Sequence, residues 1–277
     1  MDFNAVLAHH LLDHTFLPLF KIGPVQFSLT KHLIMMWLVS GFLVVTLTYA
    51  ARGRSRAALL MRTGVEAVVL YVRDEIVDPS MGHEGRKYLH YFLTLFFFIL
   101  CCNLAGLIPL SSFLEAVKFP WPNMGGTVTG NIAVTAGLAV CTLGLIILGG
   151  VRAQGGVLPF LRHFLPLPPE TNILIKVIIG GCILFPIEIL GVFVKCGALT
   201  LRLFVNMIAG HCVALGFMSM IFIFGAVSAT QGMLASVAAI SLVTFVNVLE
   251  VLIALLQAFI FTLLSAVFVG LVSQHGH

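Results

Sequence analysis

Between Leu203 and Leu249 the chain carries no Asp, Glu, Lys or Arg. A charge-free tract of that length is explained by burial in hydrocarbon, where a helix rising about 1.5 Å per residue needs only ~20 residues to cross ~30 Å. Composition agrees: 60% of the 277 residues are hydrophobic and 9% charged, with mean hydropathy +1.09, against about 25% charged in an ordinary soluble domain. The expected fold is one all-α integral membrane domain over residues 1–277. The formal charge of +4 clusters at membrane edges rather than along an exposed face, so no nucleic acid is expected as a partner.

Arg202 stands at the edge of this tract, inside the apolar stretch Leu199-Thr200-Leu201-Arg202-Leu203-Phe204-Val205-Asn206-Met207. A guanidinium near the middle of a bilayer costs at least ~2.5–3.5 kcal/mol unless a carboxylate or trapped water faces it. That cost makes Arg202 a candidate functional residue. The alternatives are an arginine that snorkels to the headgroups or one paired with an acid of its own chain.

The rest of the chain divides by hydropathy and punctuation. Residues 1–32 form an outer N-terminal segment, in which His9, His10, Asp13 and His14 replace the basic stretch and apolar core of a secretory signal. Residues 33–51 are the first span. Arg52, Arg54, Arg56 and Arg62 follow at once, and the positive-inside rule puts them in the cytoplasm and the N-terminus outside. From 57 to 77, Met61, Val65, Val68, Val72 and Ile76 recur at helical spacing, with Arg62, Glu66 and Arg73 on another side. This pattern predicts an amphipathic helix on the inner surface. Residues 88–108 are the second span, closed by Pro109, and 127–150 are the third. Between them lies an outer loop with Pro120, Trp121 and Pro122; after them Arg152, Arg162 and His163 mark the inner face again. The six cysteines lie in apolar runs without a CxxC and read as small buried hydrophobes.

Residues 171–225 and 232–272 are two further helical tracts, of 55 and 41 residues. Upright, they would be roughly 80 and 60 Å long, about twice the hydrocarbon thickness or more. Either each is strongly tilted, or the first breaks near Pro186 or Gly197. Taken as an antiparallel hairpin about residues 226–231, the tracts bring residues equidistant from the turn to the same depth. Arg202 then shares a depth with Gln257, and His211 with Glu250. Glu188, Lys195 and Arg202 repeat at sevens on one helix face, as do Glu250 and Gln257 on the other helix. His211 is nine residues from Arg202, about 180° round an ideal helix, so the two serve different surfaces. Arg202 then looks outward to a partner, while His211 and Glu250 line a wet cavity or form a structural hydrogen bond. Ala254, Ala258, Thr262, Ala266 and Gly270 recur every four residues, a smooth stripe on which helices can pack or slide.

Leu201-Arg202-Leu203-Phe204 followed by Asn206-Met207 and Ala209-Gly210, with Leu256-Gln257-Ala258-Phe259-Ile260-Phe261 near the end, resembles subunit a of the F-type ATP synthase membrane sector, of bacterial type. Weaker matches are Asn103-Leu104 with Gly106-Leu107-Ile108-Pro109, and Thr129-Gly130-Asn131 with Val134-Thr135. The resemblance runs from about Tyr88 to the end. It implies a long tilted hairpin facing a rotating ring of c subunits, whose carboxylates meet the arginine. It further implies Gln257 beside Arg202, with Asn206, His211 and Glu250 in an outer half-channel and Glu188 in an inner one. The partners implied are the c ring, b-type peripheral-stalk subunits, other ATP synthase subunits and the lipid bilayer. No cofactor or metal is implied, only a translocated H⁺ or Na⁺, in a bacterial plasma membrane with the C-terminus cytoplasmic. The chain would not be an enzyme on its own. Cys196 and Val205 stand where such proteins often have proline and glycine, which leaves the charged groups untouched.

Two other classes compete. A secondary transporter would also hold charges at mid-membrane, often with inverted repeats, and no repeat between halves is visible. An intramembrane enzyme or haem protein would need a motif that is lacking: His83-Glu84 stands outside any HExxH, no GxSxG occurs, and His32, His90 and His211 make no obvious ligand pair.

Overall fold

The computed structural model describes residues 15–22, 25–108, 128–156 and 185–273. Two strands come first, β1 (Thr15–Ile22) and β2 (Val25–Thr30), paired antiparallel with Ile22 opposite Val25. This hairpin lies in the N-terminal segment, for which hydropathy gives no secondary structure. Its signal is the Gly23-Pro24 punctuation between two short runs rich in Phe, Thr, Val and Ile. Among the described residues after it, the regular elements are all helical.

The helices are α1 (Lys31–Arg52), α2 (Arg56–Tyr71), α3 (Leu89–Leu107), α4 (Ile132–Ala153), α5 (Phe185–Val227) and α6 (Ala229–Ser273). Thr30 caps α1, its hydroxyl accepting from the Leu33 N–H at 3.4 Å. From α2 the chain continues through a π-helical turn (Val72–Val77), a short α-turn (Asp78–Met81) and a 3₁₀ segment (Gly82–Tyr88) into α3. The expected surface helix therefore changes its winding at Val72, and Gly82 at φ +63° supplies the left-handed step that ends it. Among the described residues, five helical stretches are long and apolar enough to cross a membrane: Lys31–Arg52, Gly85–Leu107, Ile132–Arg152, Phe193–Val227 and Ala229–Val272. Residues 171–184, assigned to the start of the fourth tract, lie outside the described residues, as do the outer loop 111–126 and Arg162 and His163.

The described residues fall into two compact units. The first comprises those of Met1–Thr63, Leu95–Val134 and Leu203–Phe259. Its core joins Met35 and Val39 of α1 to Cys102 of α3 and to Val128, with Leu43, Phe98 and Val134 packed around them. Asn103, fully buried, accepts from the Thr129 hydroxyl at 2.8 Å and donates to the Ala254 carbonyl at 3.5 Å. In this unit α5 and α6 run antiparallel about Ser228. The turn is tighter than residues 226–231 would suggest, because the Ser228 hydroxyl caps α6 by accepting from the Gln231 N–H at 3.2 Å. Two glycines allow the close approach, since a Cβ added to Gly232 would lie 2.8 Å from the Gly225 Cα. Beside the turn, an open cavity of about 450 Å³ is lined mostly by apolar groups of both helices, among them Met220, Phe224, Leu234 and Leu242.

The second unit comprises the described residues of Gly64–Thr94, Thr135–Arg202 and Ile260–His277. Val72, Ile76 and Val77 are fully buried in it. The carbonyl of Ser80 and the side chain of Met81 close over Gly270 of α6, leaving no room there for a Cβ. Tyr91 of α3 hydrogen-bonds Thr142 of α4 at 3.0 Å. Ion pairs on the exposed rim include Arg73 with Asp74 at 2.6 Å and Arg86 with Asp78 at 2.8 Å.

Candidate functional site

α5 and α6 carry all six residues singled out by sequence, and the helical backbone fixes their spacing. At about 1.5 Å per residue, 43 residues of α5 and 45 of α6 extend roughly 65 and 68 Å. Each is about twice as long as the ~30 Å of hydrocarbon is thick.

In the first unit, Asn206 and His211 lie half-buried on α5, Glu250 half-buried on α6, and Gln257 buried on α6. Glu250 comes against Gly210, the residue just before His211. A Cβ added at Gly210 would overlap the Glu250 carboxylate Oε1 and stand 2.8 Å from its Cδ and 3.1 Å from its Cγ. The carboxylate thus occupies space that any other residue at 210 would fill. Gln257 is 4% exposed, and its buried Nε2 has no hydrogen-bond partner among the described residues. A buried amide N–H left so costs about 1–3 kcal/mol, a cost it shares with the buried Gln154 Nε2.

In the second unit, Arg202 projects exposed from α5, and no hydrogen bond or ion pair reaches it among the described residues. Leu199, three residues before it, is buried at 1% exposure, whereas the adjacent Leu201 is 54% exposed, so the guanidinium shares the outward side of the helix with apolar groups. Lys195, also exposed, holds its ammonium 5.3 Å from the centre of the Phe268 ring, within cation–π range. Glu188 is a helical residue of α5 whose side chain lies outside the described residues. Spacing alone did not reveal Gly210 or Phe268: the first acts through a side chain it lacks, the second through a ring among 23 phenylalanines.

These features define a multi-pass helical membrane protein with polar and charged groups set into a long terminal hairpin. The family model for the ATP synthase A chain matches residues 33–270, and the chain belongs to that family. It is 36% identical over 282 residues to ATP synthase subunit a of Chloroherpeton thalassium, covering 96% of this chain and 76% of that one. ATP synthase subunit a 2 of Chlorobaculum tepidum is 37% identical over 285 residues, with 98% and 73% covered. ATP synthase subunit a of Myxococcus xanthus is 36% identical over 269 residues, with 92% and 76% covered. The chain is a membrane-sector subunit of the ATP synthase complex, works with other subunits of it in proton transport, and is not its catalytic part.

Proposed function

We propose that the chain is the ion-translocating stator of a rotary ATP synthase, offering Arg202 to the membrane-buried carboxylates of a c-subunit ring and giving protons two offset half-channels. The observation that carries this reading is Arg202 itself: an exposed guanidinium in the span Phe193–Val227, without an ion pair among the described residues, in a chain of this family. Opposite charges at ~4 Å attract by about 4 kcal/mol at an effective dielectric near 20. That is enough to keep a passing carboxylate ionised while thermal motion can still separate the pair. Gln257, with its buried amide donor, serves the same step. Asn206, His211 and Glu250 belong to the outer path and Glu188 to the inner one. The N-terminus faces outward and the C-terminus the cytoplasm of a bacterial plasma membrane, with b-type stalk subunits holding the stator still. The test is Arg202→Ala in the assembled complex, which is expected to abolish ATP-driven proton pumping; normal coupling would overturn the reading. Arg202→Lys is expected to fail as well, because a point charge does not reproduce the planar fork.

A further inference from the structure

We propose that the corner between α1 and α2 is a binding site for the headgroup of an anionic phospholipid, with Arg52, Arg54 and Arg56 as its cationic groups. The corner lies at the end of the membrane span Lys31–Arg52, which puts it at headgroup depth. All three arginines are exposed, and none has a hydrogen bond or ion pair among the described residues. In sequence the next acid is Glu66, ten residues beyond Arg56, so the local charge is uncompensated.

The corner is locked rather than loose. Gly53 leaves the helix in an extended conformation (φ −69°, ψ 144°) while its N–H donates to the Tyr49 carbonyl at 2.8 Å. Tyr49 Oη and Ser55 Oγ share a hydrogen bond of 2.6 Å, and the same Ser55 oxygen accepts from the Ala58 N–H at 3.1 Å. Ala58 is fully buried against Gly53. Three guanidinium groups are therefore displayed from a fixed bend, and guanidinium forks match the oxygens of a phosphate. Basic clusters beside a transmembrane helix attract anionic leaflets in general; here the bend fixes where the charges stand.

The occupant is a lipid rather than an acidic protein segment because the next turn is apolar. Leu59 and Leu60, one helical turn beyond Arg56, are 52% and 76% exposed, and a helix lying at the membrane surface turns such side chains toward the hydrocarbon. A phospholipid satisfies both halves of the surface, phosphate on the arginines and acyl chain on the leucines.

The test uses the complete purified ATP synthase in phosphatidylcholine vesicles containing a trace of photoactivatable phosphatidylglycerol or, separately, photoactivatable phosphatidylcholine. Peptide mapping then reads label on residues 49–62. The expected result is labelling by phosphatidylglycerol and not by phosphatidylcholine. Each arginine contributes about fivefold in binding, so R52Q/R54Q/R56Q is expected to lose roughly a hundredfold, while R52K/R54K/R56K keeps most of it. If the glutamine variant fails to insert, salt decides with the unaltered protein. The screening length falls from about 10 Å at 0.1 M to about 3 Å at 1 M, and selective labelling is expected to fall with it. Equal labelling by the two lipids, labelling indifferent to both charge and salt, or cross-linking of these arginines to an acidic segment of another subunit would overturn the proposal. None of these readouts depends on proton pumping, so this site and the role of Arg202 fail separately.

Discussion

Glu250 of α6 lies in the notch left by the missing side chain of Gly210 on α5, its carboxylate overlapping the place of a Cβ. The size of residue 210 therefore controls where that carboxylate can sit. Gly210→Ala is expected to drive Glu250 from its place and slow proton flow by roughly ten- to a hundredfold, the cost of a displacement near 1 Å in a positioned group. Assembly should survive, because α5 gains helix propensity from the change. Proton flux through reconstituted complexes is the measurement; flux equal to that of the unaltered protein would mean that Glu250 has no positional role.

His211 follows Gly210 directly, so Glu250 approaches α5 at the base of this histidine. Imidazole, with an unperturbed pKa near 6.5, is the side chain best placed to exchange protons at working pH. We expect His211→Ala and Glu250→Ala each to slow flux and shift its pH profile. The double exchange His211→Glu/Glu250→His should recover more flux than either single exchange. Losses that simply add in a double-mutant cycle would mean two independent residues.

Much of this hairpin is legible in sequence because hydrocarbon demands long uncharged runs, so the six polar side chains of interest stand out against them. The shared depth of His211 and Glu250 follows from distance to the turn, and Gly210 against Glu250 in the first unit has that register. Contacts were harder to read. A glycine advertises nothing about the side chain that fills its space, and the Ser228 cap shortens a turn whose composition allows six residues. The β-hairpin at Thr15–Ile22 and Val25–Thr30 is a weak period-2 signal beside a strong apolar span, and the π-turn at Val72–Val77 leaves the amphipathic period almost unchanged.

The two offset half-channels proposed above make a statement about access. A proton crossing 100 mV releases about 2.3 kcal/mol, and this becomes rotation only if entry and exit are separate. Cysteines at Glu188 and Glu250 should react with impermeant thiol reagents from opposite faces of the membrane. Reaction of both from one face would contradict the arrangement.

On the exposed end of the surface helix, the hydrogen bond from Arg73 holds the Asp74 carboxyl below the usual carboxylate range. The folded pKa is the depressed one, so the pair's favourable contribution is present above the unfolded pKa and is lost as pH falls through the folded value. Arg73→Ala should move the Asp74 titration upward by NMR; an unmoved midpoint would mean that the pair does not persist in solution. Because the pair lies at the solvent-facing surface, proton transport is expected to be unchanged.

Gly270 and Gly149 give a matched test of how the surface turn seats on α6. Both are helical glycines, so replacing either by alanine carries a similar intrinsic gain of about 1 kcal/mol. Their surroundings differ. At Gly149 a Cβ meets the Tyr88 hydroxyl at 3.4 Å, an ordinary contact, whereas at Gly270 it meets the Ser80 carbonyl and stands 3.1 Å from the Met81 Cγ. A backbone carbonyl cannot rotate away as a side chain can, so Gly270→Ala must push the Ser80-Met81 turn outward. Overpacking of this kind costs about 1–3 kcal/mol. The loss should appear locally, as amide exchange faster by roughly 5- to 150-fold across residues 72–81, whose Val72, Ile76 and Val77 are buried in the same unit. Gly149→Ala should leave that segment unchanged or slightly slower. Equal behaviour of the two variants would mean that the turn does not rest on Gly270, and that the burial of Val72, Ile76 and Val77 is secured elsewhere.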